Sequence, residues 1–249
     1  NEEPKRAFRP LLPDIKHINF NLIPDLDQIT TKTACVIVEP VQGEAGIISP
    51  LNEYLERLRD RCNQTGTLLI FDEIQTGLGR TGRMFAFEKY KVIPDILLLA
   101  KAMGGGMPLG AFISSKEIMS CLSVDPPLGH ITTFGGHPVS CAAALASLDI
   151  LMDQKLIEKV DEKAQTFIER LSKHKAVKAI RVDGLFMAVE IGSFENILKL
   201  MKVALINGIV LDWFLFCNTA FRIAPPLSIT KEECNEAVDL LLISLDEII

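Results

Sequence analysis

The chain has 249 residues, 48% of them hydrophobic and 23% charged, an ordinary globular composition with room for one large domain or two small ones. A net charge of −6 without a basic cluster argues against nucleic-acid binding, and no apolar run approaches membrane-spanning length. The six cysteines include no C-x-x-C pair and the four histidines lack ligand spacing, which argues against disulfides and a metal site; without a signal peptide at the start, the chain reads as cytoplasmic.

Residues 1–33 read as loop, because Pro4, Pro10, Pro13 and Pro24 break any long helix, with a short helical turn over 25–31. The start lacks methionine and opens on a polar, proline-bearing lead, which points to a fragment. Residues 34–39 are apolar up to Glu39 and predict a central parallel strand. Ser49 and Pro50 have the character of an N-cap and a first helical residue. Tyr54, Leu55, Leu58 and Cys62 then recur at helical spacing until Gly66 closes the helix. Two further continuous apolar runs follow, one ending in Asp72-Glu73 and the other, 96–100, ending in Lys101. Each predicts a buried parallel strand, so the order is that of βαβ units. A short strand near an edge is expected over 109–114, and Pro126-Pro127 with Gly129 marks a long loop. Residues 138–153 form an alanine-rich helix, apolar on most faces and hence buried, and 155–174 an amphipathic one.

Near Met152 the character changes. Strands over 177–182 and 186–190 flank an Asp183-Gly184 turn, and a helix over 195–207 ends at Gly208. Strands over 209–216, with the chain's only tryptophan, and over 221–225 come next, and Thr230 with Glu233 forms a capping box for the last helix. The short turns predict an antiparallel α/β unit. The expected division is therefore a large α/β domain over 1–152 and a small one over 153–249.

Open parallel sheets carry their chemistry beyond the carboxyl ends of the strands, which brings Asp72 and Lys101 to one sheet edge. Such a pair is either a structural ion pair or a site for something needing both. Gln75 adds an amide, Ile74 a flat β-branched surface, and the glycines after Lys101 allow close backbone approach. Lysine, ring-nitrogen acid, apolar ring face and amide are the parts needed to hold pyridoxal 5'-phosphate (PLP). The run Gly77-Leu78-Gly79-Arg80-Thr81-Gly82 matches G-x-G-x-x-G, but Asp72 to Thr76 separate it from the strand, so the context of a nicotinamide-binding fingerprint fails.

Four stretches together resemble the class-III PLP-dependent aminotransferases, in the ornithine and acetylornithine branch: Glu39-Pro40-Val41-Gln42-Gly43-Glu44-Ala45-Gly46, Phe71-Asp72-Glu73-Ile74-Gln75-Thr76-Gly77, Leu99-Ala100-Lys101-Ala102 and Thr132-Thr133-Phe134-Gly135-Gly136. The resemblance implies a fold-type I PLP-transferase, incomplete here because its phosphate cradle and ring-stacking aromatic lie upstream. It implies that Lys101 binds the cofactor as a Schiff base and shuttles the proton, and that Asp72 keeps the ring nitrogen cationic. Ile74 would pack on the ring, Gln75 would bond the ring hydroxyl, and Thr133 would reach the phosphate of the neighbouring subunit's cofactor in a homodimer. Glu44 and Arg222 match a switch in which the glutamate covers the arginine until a substrate α-carboxylate needs it. Glu39 reads as structural, and Arg80 and Arg83 as rim or interface charges.

The implied reaction is transfer of the terminal amino group of ornithine or N-acetylornithine to 2-oxoglutarate. Rival readings are another ω-aminotransferase acting on 4-aminobutyrate or lysine, a nicotinamide-dependent dehydrogenase, and a structural fragment without catalysis. The aromatic content of residues 211–216 (LDWFLF) leaves the amino donor open.

Overall fold

The computed structural model describes residues 5–51 and 53–248; Pro4, one of the expected helix breakers, lies outside them. Up to residue 33 the chain runs mostly as loop, with a 3-10 turn at Ile23–Gln28. A first sheet then forms from β1 (Cys35–Val38), β2 (Leu68–Asp72), β3 (Ile96–Leu99) and β4 (Ala111–Ser114), in that spatial order. The first three strands are parallel, and β4 closes the edge antiparallel to β3.

Helix α1 (Tyr54–Thr65) covers one face of this sheet: Tyr54, Leu55, Leu58 and Cys62 pack on Leu69, Phe71, Leu97 and Leu99. Gly66 ends it in the left-handed conformation, its N–H reaching the Cys62 carbonyl. The start differs from expectation. The helix begins at Tyr54 with no side-chain cap, because the Ser49 hydroxyl donates to Asp183 Oδ2 at 3.0 Å instead. β1 differs too, standing at the sheet edge with Ile37 exposed, since only one of its faces meets a covering helix.

The short helices α2 (Ala86–Tyr90) and α3 (Lys116–Ser120) flank β3 and β4, and α4 (Pro138–Asp153) follows the long loop. The expectation that α4 is buried fails: only Ser140 and Leu151 are, while Val139, Leu145, Ile150 and Met152 are exposed. Apolar composition alone buries nothing without a partner surface, and α4 meets the chain chiefly at the turn Lys101–Gly104.

After a 3-10 turn, α5 (Val160–Leu171) leads into a second sheet of β5 (Ala179–Val182), β6 (Met187–Glu190), β7 (Asp212–Trp213) and β8 (Ala220–Ile223). All pairings are antiparallel, in the order β5-β6-β8-β7. Helix α6 (Phe194–Ile206) is capped by the Ser193 hydroxyl and α7 (Lys231–Asp246) by the expected Thr230–Glu233 box. Phe167, Leu171, Met187, Leu200, Phe221 and Leu241 form this sheet's core, each contributing about 1.5–3 kcal/mol by burial. The strand expected over 209–216 shrinks to two residues, because Phe214 turns inward and the N–H groups of Leu215 and Phe216 donate to Glu44 rather than to a strand.

The sheets are fastened together. Asp183, 1% exposed, accepts from Ser49 at 3.0 Å, Lys89 Nζ at 2.7 Å and the Tyr90 hydroxyl at 2.7 Å. Arg80 is half-buried between the layers, donating to the carbonyls of Leu185 at 3.0 Å and Pro225 at 2.6 Å, so of the expected rim or interface positions it takes one at the seam of the two layers. Burial pushes its pKa down to about 10. A third apolar cluster joins Val41 and Ile47 to Phe186, Ala188, Phe214 and Ala220. Replacing Asp183 with Ala strands three donors, and we expect a stability loss of about 3 kcal/mol in chemical denaturation, with Asp183→Asn losing less.

Candidate active site

The parallel register sets the site. Val38 pairs with Phe71 and Asp72 with Leu98, so Glu39 and Asp72 leave adjacent strands side by side and Lys101 follows β3 at the same edge. The expected meeting of Asp72 and Lys101 at one edge is what the topology gives. Asp72 Oδ1 accepts the Ile74 N–H at 3.0 Å, a local turn that holds the carboxylate at the strand end. Lys101 is exposed and opens the turn Lys101–Gly104 at φ 49°, a strained value for a side chain of its type.

Glu39 lies in the same field. Burial pushes its pKa up; the Gly43 N–H, 3.0 Å from Oε2, opposes this, Asp72 and Glu44 add to the rise, and Lys101 opposes it. Asp72, Glu44 and Lys101 therefore all act on Glu39, which belongs to the site's electrostatics as well as to the strand end.

Glu44 is the best-held side chain here. Its Oε1 accepts from Arg222 Nη1 at 2.8 Å and from Gln75 Nε2 at 3.2 Å, and its Oε2 accepts the Leu215 N–H at 3.1 Å. Burial pushes its pKa up, but the Leu215 N–H, Arg222 and Gln75 outweigh that and hold it below the usual carboxylate value. Gly43 keeps this arrangement tight, since a Cβ there would sit 3.0 Å from the Gln75 amide. Arg222, on β8, also pairs with Asp212 on β7, and its guanidinium carbon lies 5.4 Å from the centre of the Phe214 ring.

The structure thus brings Asp72, Ile74, Gln75, Lys101 and Glu44 to one edge and adds Arg222 from the second sheet. Thr133 stands apart on an exposed loop; among the described residues no hydrogen bond ties it to the cluster. Asp212, Phe214 and the Leu215 N–H go beyond the sequence expectations. The one available signal was Asp212 itself, a lone acid in an otherwise apolar run over 209–216.

The glycines of Gly77–Gly82 serve packing: a Cβ on Gly77 would lie 2.8 Å from the Glu73 carbonyl oxygen, and one on Gly79 2.8 Å from Leu227. Glu73, behind this loop, is a buried helix cap, accepting from the N–H groups of Ala86 at 2.6 Å and Phe87 at 2.8 Å and from the Thr76 hydroxyl. Burial pushes its pKa up against those three donors.

Known proteins resemble this chain along most of its length. The family described as Aminotransferase class-III matches residues 5–244. The acetylornithine aminotransferase of Methanocaldococcus jannaschii is 43% identical over 97% of this chain and 59% of its own length. Among solved structures, an ornithine aminotransferase from Toxoplasma gondii with partial occupancy of PLP at its active site superposes with a TM-score of 0.90, at 34% identity, over 100% of this chain and 59% of that one. An acetylornithine aminotransferase from Elizabethkingia anophelis gives 0.85 at 33% identity, over 96% of this chain and 61% of that one. The chain therefore spans about three-fifths of the length of these relatives. By the match along nearly its whole length, it belongs to the class-III aminotransferases.

Proposed function

We propose that this chain supplies the lysine-bearing part of a PLP-dependent transaminase that moves the terminal amino group of ornithine or N-acetylornithine to 2-oxoglutarate in a ping-pong cycle. The observation that carries this reading is the Glu44–Arg222 pair, 2.8 Å apart, set beside the strand edge that bears Asp72 and Lys101. The donor set fits PLP: an amine, a carboxylate, an amide and a flat apolar side chain at one edge. Lys101 would hold the cofactor covalently, Asp72 its ring nitrogen, Ile74 a ring face and Gln75 the ring hydroxyl. When bound, PLP supplies a ring that delocalises the electron pair left by a departing proton.

The protein's own groups do the rest. Lys101 Nζ would take the proton from the carbon bearing the substrate amine and pass it on to the cofactor, and in the second half of the cycle would carry a proton the other way. Asp72 holds a proton on the ring nitrogen. Glu44 neutralises Arg222 while a substrate without a carboxylate beside its reacting amine is bound, and withdraws when glutamate or 2-oxoglutarate presents one. On the same reading the fold is of fold-type I, with residues 1–152 part of a large cofactor-binding domain and 153–249 a small domain; the separate cores of the two sheets support that division. Thr133 would reach the phosphate of the cofactor held by the second subunit of a homodimer.

We expect the full-length protein mixed with PLP to show a visible absorbance that borohydride bleaches and Lys101→Ala abolishes, while Asp72→Asn lowers turnover by about 10²-fold or more. Residues 1–249 alone should bind PLP weakly and turn over little; full activity from them would refute this. Glu44→Ala should raise kcat/KM for glutamate and lower it about tenfold for terminal-amine donors, because an unpaired arginine then faces them. Ornithine, acetylornithine, 4-aminobutyrate and lysine compared with 2-oxoglutarate as acceptor would identify the donor. The pH dependence has a fixed sign. Glu44 is held below its ordinary value of 4.5, so its pairing with Arg222 contributes stability above that pH and loses it as pH falls through the depressed value. Stability measured by denaturation between pH 7 and pH 3 in wild type and Glu44→Gln should converge at the acid end.

A further inference from the structure

The guanidinium of Arg222 meets two carboxylates. Its Nη1 donates to Glu44 at 2.8 Å, and its Nη2 is taken by Asp212, which stands directly opposite it in the β7–β8 register. The side chain is only 18% exposed and lies against the Phe214 ring, so packing contributes to fixing its direction beside the two carboxylates. Asp212 is different in kind from Glu44. It sits on a strand, paired across the sheet, whereas Glu44 sits on a loop and is held by three donors.

One positive charge shared between two carboxylates leaves the trio with an excess negative charge. When Glu44 withdraws, Arg222 remains paired with Asp212. A substrate α-carboxylate then meets a neutral pair rather than a free cation, and finds one of the two terminal nitrogens already engaged. A carboxylate held by a two-pronged guanidinium is bound more tightly and more directionally than one held by a single N–H.

We propose that Asp212 is a specificity-determining residue that weakens the hold of Arg222 on substrate α-carboxylates and so biases the site toward amines without a neighbouring carboxylate. The inference rests on reading Glu44 and Arg222 as the carboxylate switch. It also gives the aromatic, acid-bearing segment 211–216 a purpose: Phe214 positions the arginine, Leu215 holds Glu44, and Asp212 attenuates the charge.

The test uses the PLP-loaded full-length protein and reads 2-oxoglutarate binding from the fluorescence of Trp213, the only tryptophan in residues 1–249 and the neighbour of Asp212. Half-reaction rates with glutamate and with a terminal-amine donor are measured alongside. Asp212 is 60% exposed, so the effect is modest and screened. Asp212→Asn should tighten 2-oxoglutarate binding about two- to fivefold, with the gain shrinking as salt is added, and should change the terminal-amine rate less than about twofold. Asparagine keeps an acceptor oxygen and removes only the charge. Unchanged binding in Asp212→Asn with weaker binding in Asp212→Ala would mean that Asp212 merely orients Arg222, and would overturn the proposal. Arg222→Ala separates the two levels. If it leaves 2-oxoglutarate binding intact, the carboxylate-switch reading fails and this inference with it; if it weakens binding while Asp212→Asn gains nothing, only the inference about Asp212 fails.

Discussion

The meeting of the two sheets at the site depends on one buried carboxylate. Asp183 lies in the turn between β5 and β6, yet all three of its side-chain donors come from the first-sheet side, at Ser49, Lys89 and Tyr90. Around it, Arg80 reaches two carbonyls of the second layer, and the apolar cluster of Val41, Ile47, Phe186 and Phe214 closes the seam. Glu44 and Arg222 are 178 positions apart in the chain, and a pair so distant forms only when the surfaces carrying it are already fixed. Burial makes the tie stiff as well as strong: at 1% exposure the Asp183 carboxylate is closed to bulk solvent and meets its three donors in one geometry.

The electrostatics of the edge follow from crowding. Glu39, Glu44 and Asp72 converge where Lys101 and Arg222 supply the balancing charge. The two glutamates respond in opposite directions. Glu39, with one backbone donor and two acidic neighbours, is pushed toward the neutral form, whereas Glu44, with three donors, is kept ionised. Two carboxylates five residues apart thus acquire different characters from their burial and their partners together.

What could be read from the sequence was what local forces decide. Continuous apolar runs announced β2 and β3, Gly66 ended α1, Thr230 and Glu233 capped α7, and the carboxyl-edge rule placed Asp72 with Lys101. What could not be read was settled by partners far away. Ser49 lost its capping role to Asp183, 134 residues on, and residues 214–216 left their strand for Glu44. The position of β1 and the exposure of α4 were hidden for a related reason: composition says that a surface is apolar, not whether anything lies against it. Asp212 escaped notice because its importance comes from the strand opposite, and cross-strand neighbours are visible only once the register is known.

The backbone at Lys101 carries a consequence of its own. A lysine at φ 49° occupies a region that costs most side chains of order 1 kcal/mol, and a glycine there would relieve it. On the proposed function, the chain keeps the amine that would carry the cofactor at a position where a more restful residue exists. Variants selected only for thermal endurance would drift toward that glycine and away from reactivity, so folding robustness and chemical competence pull in opposite directions at this one position.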